Sequence, residues 1–432
     1  MAVRAVLVLA AVAATLGAAP TDASAAVPPV RWCGNDVSAS DRLRDRMGGP
    51  QIHVVYATPA DGQDRFAELA SPIATDIAAI DAWWRREDPT RAPRFDLFDF
   101  PGCDSRLGLL DLTSVRLPAP TSFYTGAAGR FQAITRDLEN LRFAQPTKKY
   151  LVFYDGLVAD DGVCGTGAGR SSSGPSYAVV YLRSSCELTV GDGRGAAWVA
   201  AHELVHAFGA VSDLAPNACH SGHVCDAGDD LMAALYDGGF IEEARLDAGR
   251  DDYYGHTGPV LDVRRSAWLF DTAAQLALTL RVTGRGVIGS QPDGQGCSAV
   301  CVTEWDGGTA VRLAAAPGAG HGFAGWTGGC AAARGPSCVV APSAASDVGA
   351  VFRPLRRLTV LVDGRGTVTA EGLRCTRSCA RQLVQGRPFV LRAAPVRGWR
   401  FVRWTGACRG ARPTCTVRLA AAARVTAVFA RR

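Results

Sequence analysis

The sequence lacks any long apolar run beyond its first residues. After residue 25, the 432-residue chain contains no stretch of about 18 uninterrupted apolar residues, which is the length that a membrane-spanning helix requires. The pattern therefore argues against a membrane-spanning protein. At the start, Arg4 precedes a short Ala-, Val- and Leu-rich run, and Ala23-Ser24-Ala25 forms an A-x-A cleavage site. We expect residues 1–25 to be a secretory signal and the mature protein to be secreted and extracellular.

Lysine is nearly absent, since the chain has 2 lysines against 44 arginines, a ratio typical of coding bias as much as of chemistry. The charge is unevenly spread. Residues 354–432 hold 17 arginines against Asp363 and Glu371, a net charge of +15, and residues 278–353 carry +1, which leaves −11 for residues 1–277 out of a total of +5. The basic end predicts an anionic partner: a cell-wall polymer, an acidic membrane surface or extracellular nucleic acid. A solvated arginine-rich surface without a partner is the alternative.

Histidine is scarce, yet four of the seven histidines lie within 22 residues: His202, His206, His220 and His223. The first two belong to Ala196 to Gly209, AAWVAAHELVHAFG, which contains H-E-x-x-H after an apolar, helix-compatible run. Residues four apart lie on one face of a helix. Both imidazoles can therefore reach one zinc ion, while Glu203 projects beside it and can take a proton from a bound water. The pattern predicts a catalytic zinc site with His202 and His206 as ligands and Glu203 as general base.

The segment before this motif alternates strand and helix patterns. Gln51 to Thr58 is rich in β-branched residues, and Tyr150 to Tyr154 is a continuous apolar run that suits a central strand. Ser71 to Arg86 has apolar residues at helical spacing, with Ser71 placed as N-cap and Pro72 at the first helical position. We expect an α/β layer with the motif helix packed beneath the sheet. Further strands are expected at Phe95 to Phe100, Leu109 to Leu117 and Ser176 to Leu182, and a further helix at Gly129 to Phe143.

Gly162 to Pro175 is dense in glycine and serine, so we expect an exposed loop there. The strand that follows, Ser176 to Leu182, lies close before the motif helix. As an edge strand it would pair with an extended peptide and hold it across the zinc ion. The alternative is an edge that a loop covers.

Beyond Gln275 the sequence changes to short Val- and Thr-rich strands separated by glycine, and an internal repeat begins. After 77 residues, Cys338 and Phe352 recur as Cys415 and Phe429. This spacing predicts two duplicated all-β modules. Four earlier residues recur after 78 residues: Cys297, Cys301, Trp326 and Cys330 as Cys375, Cys379, Trp404 and Cys408.

The motif region resembles the metzincin clan of zinc metalloproteases, whose pattern is H-E-x-x-H-x-x-G-x-x-H. The resemblance implies an α/β (α+β) catalytic domain with a mixed sheet and an active-site helix. The third histidine of the clan would fall at Ser212, and a hydroxyl is a poor zinc ligand, so another residue must complete the site. The residues that carry the resemblance are His202, Glu203, His206, Gly209 and a candidate Met-turn at Asp230-Leu231-Met232.

The segment from Gly209 to Asp230 looks more like a group of bacterial secreted proteins within this pattern. Their motif runs H-E-L-x-H-x-L-G-A-V, then A-P, then G-H-C-x-D, then D-x-M. Phe208 replaces the leucine, and Cys225 falls one residue late. The likeness also covers Gln51 to Asp61 and Asp251 to Tyr254, so it spans most of residues 30 to 270.

His223 stands at the G-H position of that motif, and we predict it as the third zinc ligand. His220 and then Asp213 are the alternatives, in this order because imidazole suits zinc best. A disulfide between Cys219 and Cys225 would fix the loop that carries both histidines. Carboxylates of the following turn would orient the ligating imidazoles or, alternatively, bind a structural Ca²⁺ ion: Asp226, Asp229 and Asp230.

Fourteen cysteines, an even number, fit disulfides formed in an oxidising compartment. In the N-terminal region, order along the chain suggests the pairs Cys33 with Cys103 and Cys164 with Cys186. Six cysteines allow many pairings, so this choice is one of several. As an alternative, Cys33 would cap the zinc ion as a latency switch.

The two modules resemble the divergent internalin B-type B-repeats of bacterial surface and secreted proteins. The competing interpretation of each C-x-x-x-C is a zinc knuckle, which is weaker because no histidine accompanies either pair. The resemblance implies small β-modules with local disulfides: Cys297 with Cys301, Cys330 with Cys338, Cys375 with Cys379 and Cys408 with Cys415.

The residue types also imply a mechanism. Zinc lowers the pKa of its water and polarises the scissile carbonyl, while Glu203 takes the proton and passes it to the leaving amine. Three tyrosines are candidates for stabilising the oxyanion, against a role in packing: Tyr236, Tyr253 and Tyr254.

Together these patterns predict a secreted zinc-dependent endopeptidase that acts on a protein or peptide. Its catalytic domain would occupy residues 26–275, followed by β-repeat modules at residues 278–353 and 354–432. The alternative is a secreted or cell-surface binding protein whose zincin domain is structural or inactive; Ser212 favours it and the intact Glu203 opposes it. A zinc hydrolase acting on a non-peptide amide or a wall component would use the same residues.

Overall fold

The computed structural model describes most of the chain after the predicted signal, which itself lies outside the described residues. Within the described part, no helix is long and apolar enough to cross a membrane. The described residues are 27–432 apart from 35–40, 42–45, 99, 101, 104–105, 127–128, 168–174, 221, 235–238 and 292–295.

The N-terminal region contains the helices and strands β1 (Gln51–Thr58), α1 (Phe66–Glu87), β2 (Arg91–Pro93), β3 (Leu112–Arg116), α2 (Thr121–Tyr124), α3 (Arg130–Asn140), β4 (Lys148–Leu157), β5 (Gly165–Gly167), β6 (Ser176–Arg183), α4 (Gly195–Ala207) and β7 (Leu269–Asp271). Five of these strands form one mixed sheet in the order β3-β1-β4-β6-β5. The first four strands of that order are parallel, and β5 runs antiparallel to β6. The strands predicted at β1, β4 and β6 are confirmed, and β4 is the central one. Their residues are buried almost throughout, as in sheets covered on both faces.

Helices cover both faces of this sheet. On one face, α1 and α4 share an apolar cluster with the strands, and Trp83 and Trp84 of α1 are buried in it. Each indole also has a hydrogen-bond acceptor, the Ala244 carbonyl for Trp83 at 2.8 Å and the Tyr254 hydroxyl for Trp84 at 3.2 Å. Burying a large apolar side chain contributes about 1.5–3 kcal/mol. The other face packs against α3 and α2, so the motif helix lies in a three-layer core.

Helix α1 begins at Phe66, so the predicted start at Ser71 is wrong. The Asp64 carboxylate accepts the Phe66 N–H at 2.9 Å, and Phe66 itself is buried, which favours one more helical turn and a half before the serine. Pro72 therefore lies inside the helix. The Ser71 hydroxyl instead accepts the Trp32 N–H at 3.3 Å and holds the N-terminal segment against the helix.

Three further predictions need correction. The strand predicted at Phe95 to Phe100 is reduced to isolated bridges, and the helix predicted to reach Phe143 ends at Asn140. The segment predicted as an exposed loop at Gly162 to Pro175 contains β5, so the predicted edge position of β6 is also wrong. A strand of three residues with two glycines carries no β-propensity signal, because glycine is depleted in strands.

After residue 275 the structure is all-β, as predicted, with the strands β8 (Gln275–Thr283), β9 (Gly286–Gln291), β10 (Gly296–Cys297), β11 (Val300–Asp306), β12 (Val311–Pro317), β13 (His321–Gly328), β14 (Ser337–Val340), β15 (Ser346–Asp363), β16 (Gly366–Ala370), β17 (Leu373–Cys375), β18 (Ser378–Val384), β19 (Pro388–Pro395), β20 (Trp399–Gly406), β21 (Thr414–Arg418) and β22 (Ala423–Arg431). Each module has its own four-stranded sheet, β10-β9-β12-β14 in the first and β17-β16-β19-β21 in the second. A seven-stranded sheet runs through both modules, with the order β11-β8-β15-β22-β20 and with β13 and β18 also paired to β15. Each module has a separate apolar core, to which its four-stranded sheet and the seven-stranded sheet both contribute.

A single long strand joins the two modules. The first half of β15 pairs with β8 and β13, and its second half pairs with β18 and β22. The boundary predicted between residues 353 and 354 falls inside this strand. The first module is in turn attached to the N-terminal region, where Arg94, with 4% of its side chain exposed, forms a 2.8 Å ion pair with Asp306.

The fourteen cysteines form seven disulfides, and no free cysteine is left. Cys33 is bonded to Cys103, which contradicts the latency-switch alternative. The pairs agree with those suggested from order and from the repeats: Cys33–Cys103, Cys164–Cys186, Cys219–Cys225, Cys297–Cys301, Cys330–Cys338, Cys375–Cys379 and Cys408–Cys415.

Asp76 connects α1 to the loop that leads into α4. Its buried carboxylate accepts the backbone N–H groups of Gly191 at 2.8 Å and Gly193 at 3.1 Å. Burial raises the pKa of Asp76 to about 7, although these two hydrogen bonds lower it. Because this folded pKa exceeds the ordinary value of 3.8, the contribution of the carboxyl group to stability is complete below about pH 4 and is lost as the pH rises through about 7.

We expect the substitution Asp76→Asn to change the pH dependence of unfolding. Because asparagine does not ionise, the free energy of unfolding of the variant should rise relative to wild type between about pH 4 and 7, by at most about 1.4 kcal/mol per pH unit. Urea unfolding across this range measures the difference. Glu68→Gln, at an exposed position of the same helix, is the control, and parallel curves for wild type and Asp76→Asn would contradict the raised pKa.

Candidate functional site

Helix α4 is apolar on nearly every side, and it is buried along its whole length. Every residue from Gly195 to Ala207 is buried except His202, which is half-buried. A helix of this composition packs in the core rather than on the surface. Glu203 and His206 are consequently fixed in position, and His202 faces an open cleft.

The structure brings three imidazoles together, two from this helix and one from the loop after it. The Nε2 atoms of His202 and His223 are 3.2 Å apart, and the ring centroid of His206 lies 4.8 Å from that of His202 and 5.1 Å from that of His223. One ligand atom from each of the three residues fits within 4.8 Å of the others. The structure therefore brings all three predicted metal ligands, His202, His206 and His223, close to one another.

The hydrogen bonds fix the tautomer of each ring. A carbonyl oxygen can only accept, so each Nδ1 that lies against one carries the proton, and Nε2 of the neutral ring has a lone pair. Two such lone pairs at 3.2 Å, with no proton between them, repel each other unless a cation lies between them. Tetrahedral zinc with Zn–N bonds of about 2.0–2.1 Å separates its nitrogens by about 3.4 Å. The carbonyls lie 2.6–2.9 Å from Nδ1 and belong to Leu231 for His202, Ala210 for His206 and His220 for His223.

Electrostatics keeps the helix histidines neutral. Burial, together with the neighbouring imidazoles, lowers the pKa of His202 to about 3 and that of His206 to about 4. Neutral imidazole is the form that binds a metal ion. The donor set of three nitrogens therefore fits zinc, whereas Ca²⁺ prefers oxygen ligands.

A small disulfide-bonded hairpin carries His223. Cys219 and Cys225 are bonded, the Cys219 N–H donates to the His223 carbonyl at 2.9 Å, and the Val224 N–H donates to the Met232 carbonyl at 3.0 Å. Ser212, at the position where the metzincin pattern has its third histidine, accepts the Leu214 N–H at 3.2 Å and forms a turn. The chain thus turns at Ser212, and it returns to the site at His223.

The segment predicted as a Met-turn, Asp230 to Met232, contacts one of the imidazoles. Leu231 supplies the carbonyl for His202, and Met232 is fully buried. Asp230 fixes this turn, since its carboxylate accepts the Met232 N–H at 2.7 Å, the Ala248 N–H at 2.7 Å and the Tyr253 hydroxyl at 2.9 Å. The turn is therefore held by buried hydrogen bonds, each worth about 1 kcal/mol net and more if its loss leaves a polar group unpaired.

Several alternatives from the sequence lie away from this cluster. His220 is exposed and contributes its carbonyl, and Asp213 is also exposed. The acidic residues do not orient the imidazoles as predicted, because backbone carbonyls do so. Asp229 instead forms a 2.5 Å ion pair with Arg245. Two of the tyrosine candidates are buried away from solvent, Tyr253 against the Met-turn and Tyr254 against α1, and the third is outside the described residues: Tyr236.

Strand β5 was missed from the sequence, and it forms one wall of the site. A Cβ atom added at Gly165 would lie 2.7 Å from the Glu203 carboxylate, and one added at Gly167 would lie 2.4 Å from the His206 Cβ. Only glycine allows this close approach. The alternating glycines of G-T-G, followed by a serine-rich stretch, are the sequence signal, and glycine inside a strand marks such an approach.

Glu203 lies in the cleft that these elements enclose. The cleft has a volume of about 560 Å³ and is lined by β5, by α4 and by the loop of His223. Burial raises the pKa of Glu203 to about 8, although the backbone hydrogen bond from Gly167 lowers it. A dication held by the adjacent histidines would lower this pKa again, toward the range in which the carboxylate accepts protons at neutral pH.

Residues 288–355 and 357–432 each match the family described as divergent InlB B-repeat domain, and they form two such repeats. Seven disulfides and surface-type repeats are consistent with an extracellular or surface protein. No curated protein matches the chain.

Similarity to solved structures is weak. OgpA from Akkermansia muciniphila, solved in a catalytically inactive form with an O-glycopeptide substrate, shares 11% identity over 92% of this chain and 100% of that one, with a TM-score of 0.28. A streptococcal ancillary pilin shares 11% identity over 37% of this chain, with a TM-score of 0.19. The chain spans 63% of that pilin's length. Likenesses at this level carry no argument about the fold or the activity.

We expect His223→Ala to lose zinc. Removing one nitrogen of three should weaken zinc binding by more than the about 10–100-fold that the loss of an orienting partner costs. Elemental analysis of the full-length protein after dialysis against graded zinc concentrations measures this loss. His220→Ala is the matched control, because it keeps the backbone carbonyl that orients His223, and zinc loss in His220→Ala alone would show that the ligand is wrongly assigned.

Proposed function

We propose that this protein is a secreted zinc-dependent endopeptidase whose N-terminal region, residues 26–275, is a metzincin-like catalytic domain. The observation that carries the proposal is the cluster of three imidazoles in the same cleft as Glu203, with one ligand atom of each within 4.8 Å of the others. In this assignment His202, His206 and His223 hold the zinc ion. When bound there, zinc supplies Lewis acidity toward the scissile carbonyl and makes a water molecule more acidic.

Glu203 is the proton carrier of the proposed reaction. Its carboxylate takes a proton from the attacking water and donates it to the leaving amine, so that one residue serves as base and then as acid. Because α4 is buried around it, the carboxylate is held in one place, and its small exposed fraction of 6% limits competition from solvent. The same residue in an open loop would lose this orientation.

Strand β5 is the proposed docking edge for an extended peptide. It is the terminal strand of the sheet and lines the cleft beside Glu203. A peptide added to this edge would form main-chain hydrogen bonds. The glycines at positions 165 and 167 would let its backbone lie close to the zinc site. The sequence pattern predicted this role for β6. We assign it to β5 instead, because β6 is paired with β4 on one side and with β5 on the other.

We expect Glu203→Gln to abolish peptide cleavage while zinc stays bound. The loss of a general base typically lowers the rate by about 10²–10⁴-fold. Cleavage of casein with and without a chelator, together with the zinc content, measures both effects. If Glu203→Gln cleaves like wild type, the catalytic assignment fails. If the wild type binds zinc and cleaves no peptide, the alternative of a binding protein with an inactive zincin domain is favoured.

Gly165→Ala is expected to lower activity without removing zinc. The added methyl group must displace the Glu203 side chain or β5, because its position lies 2.7 Å from the carboxylate. Thr166→Ser is the control, since it keeps the hydroxyl that accepts a hydrogen bond from Tyr181 at 3.2 Å. We expect kcat to fall at least about tenfold in Gly165→Ala and to change little in Thr166→Ser. Unchanged kcat in Gly165→Ala would contradict the close packing of β5 on the site.

A further inference from the structure

The arginines of the second module have no acidic partners. In the N-terminal region arginines form ion pairs, for example Arg65 with Asp155 and Arg264 with Asp88. Across residues 354–432, all of them described, none of the 17 arginines forms an ion pair. Unpaired positive charge on a folded surface attracts anions and focuses them at that surface.

The strand register gathers part of this charge on one sheet face. In the sheet β17-β16-β19-β21, Arg374 lies opposite Thr369, Thr369 opposite Arg392, and Arg392 opposite Thr414. Strands are about 4.8 Å apart, so the two arginines are roughly 10 Å apart in one row. Arg418 lies on the same face of β21, about 13 Å along the strand from Thr414. We call these five residues the arginine–threonine face.

The first module shows that the fold does not require this face. The equivalent row, with the same register, consists of small residues without charge, and Ala341 stands where the second module has Arg418. A coding bias toward arginine acts on both modules alike, yet the first has 5 arginines and the second has 17. The arginines are therefore specific to the surface of the second module. The small residues of the first module are Gly296, Gly289, Ala314 and Ser337.

The chemistry of the face favours phosphate without bases. Guanidinium binds phosphate oxygens in bidentate fashion, and threonine hydroxyls add single hydrogen bonds. Stacking on bases requires exposed aromatic rings, and none of the five aromatic side chains of residues 354–432 is exposed. Insertion into a membrane requires apolar anchors, and the exposed large apolar residues of this module are Val390 and Val396.

We propose that the arginine–threonine face binds a linear phosphodiester polymer that lacks bases, such as a polyol phosphate chain. Successive phosphates of a flexible chain can contact arginines that lie roughly 10 Å apart. Binding releases the counterions of the polymer, so affinity falls steeply with salt. The interaction is independent of the activity proposed for the zinc site.

Two triple variants of the full-length protein test this proposal at equal net charge. R374G/R392A/R418A places the residues of the first module on the face. R357A/R403A/R424A removes three exposed arginines from the outer face of the seven-stranded sheet, on β15, β20 and β22. Titration with poly(glycerol phosphate) between about 50 and 200 mM salt gives the affinity and its salt slope. Thermal unfolding confirms that both variants are folded, and the single variant R392A gives a second reading if the triple variant is unstable.

We expect the face variant to bind at least about tenfold more weakly with a smaller salt slope, and the other variant to stay within about threefold of wild type. Equal weakening of both variants would show that net charge alone acts and would overturn the proposal. Three comparison ligands at equal charge must each bind more weakly than poly(glycerol phosphate): polyglutamate, single-stranded DNA and phosphatidylglycerol vesicles. Equal or tighter binding of any of them would overturn the assignment to a phosphodiester polymer without bases.

Discussion

Three backbone carbonyls determine how the histidines of this site face one another. Each carbonyl fixes the proton of one ring on Nδ1, which leaves the lone pair of each neutral ring on Nε2. One ligand atom of each ring lies within 4.8 Å of the others. The carbonyls come from separate segments: the end of α4, the hairpin of His223 and the Met-turn. The geometry proposed to bind zinc consequently depends on the tertiary arrangement of all three. Glu203 is held beside these histidines because the helix that carries it is buried.

The parts of the fold that the sequence predicted correctly are those with strong local patterns. Strands β1, β4 and β6 are apolar on both faces because helices cover the sheet, so each forms a continuous apolar run. The start of α1 was missed because Ser71 and Pro72 mimic a helix N-terminus. Burial of Phe66 in the core extends the helix beyond that signal. Where the residues before a capping pattern are apolar, their packing in the core can extend the helix past that pattern.

In the candidate site, too, the residues with a local sequence pattern could be predicted and those placed by tertiary structure could not. His202, Glu203 and His206 could be recognised because their spacing is local to one helix. His223 was chosen because its segment resembles a sequence pattern. Neither the distance along the chain from His206 nor the composition of the segment separates His223 from His220. The groups that orient the imidazoles could not be predicted from the sequence, because every residue has a backbone carbonyl. Two of the three aspartates that were expected in that role have other partners: Asp229 pairs with Arg245, and Asp230 accepts the Met232 N–H.

The modules are physically connected to the zinc site, which affects how a surface ligand would act. Arg94 is nearly buried and the Asp306 side chain is 25% exposed, so their 2.8 Å ion pair resists separation of the N-terminal region from the first module. Strand β15 then continues into the second module without a linker. A polymer bound to the second module would therefore hold the cleft near the same surface, and substrates on that surface would meet it at a raised effective concentration. Attachment through strands, rather than through a flexible linker, also limits the volume that the cleft can search.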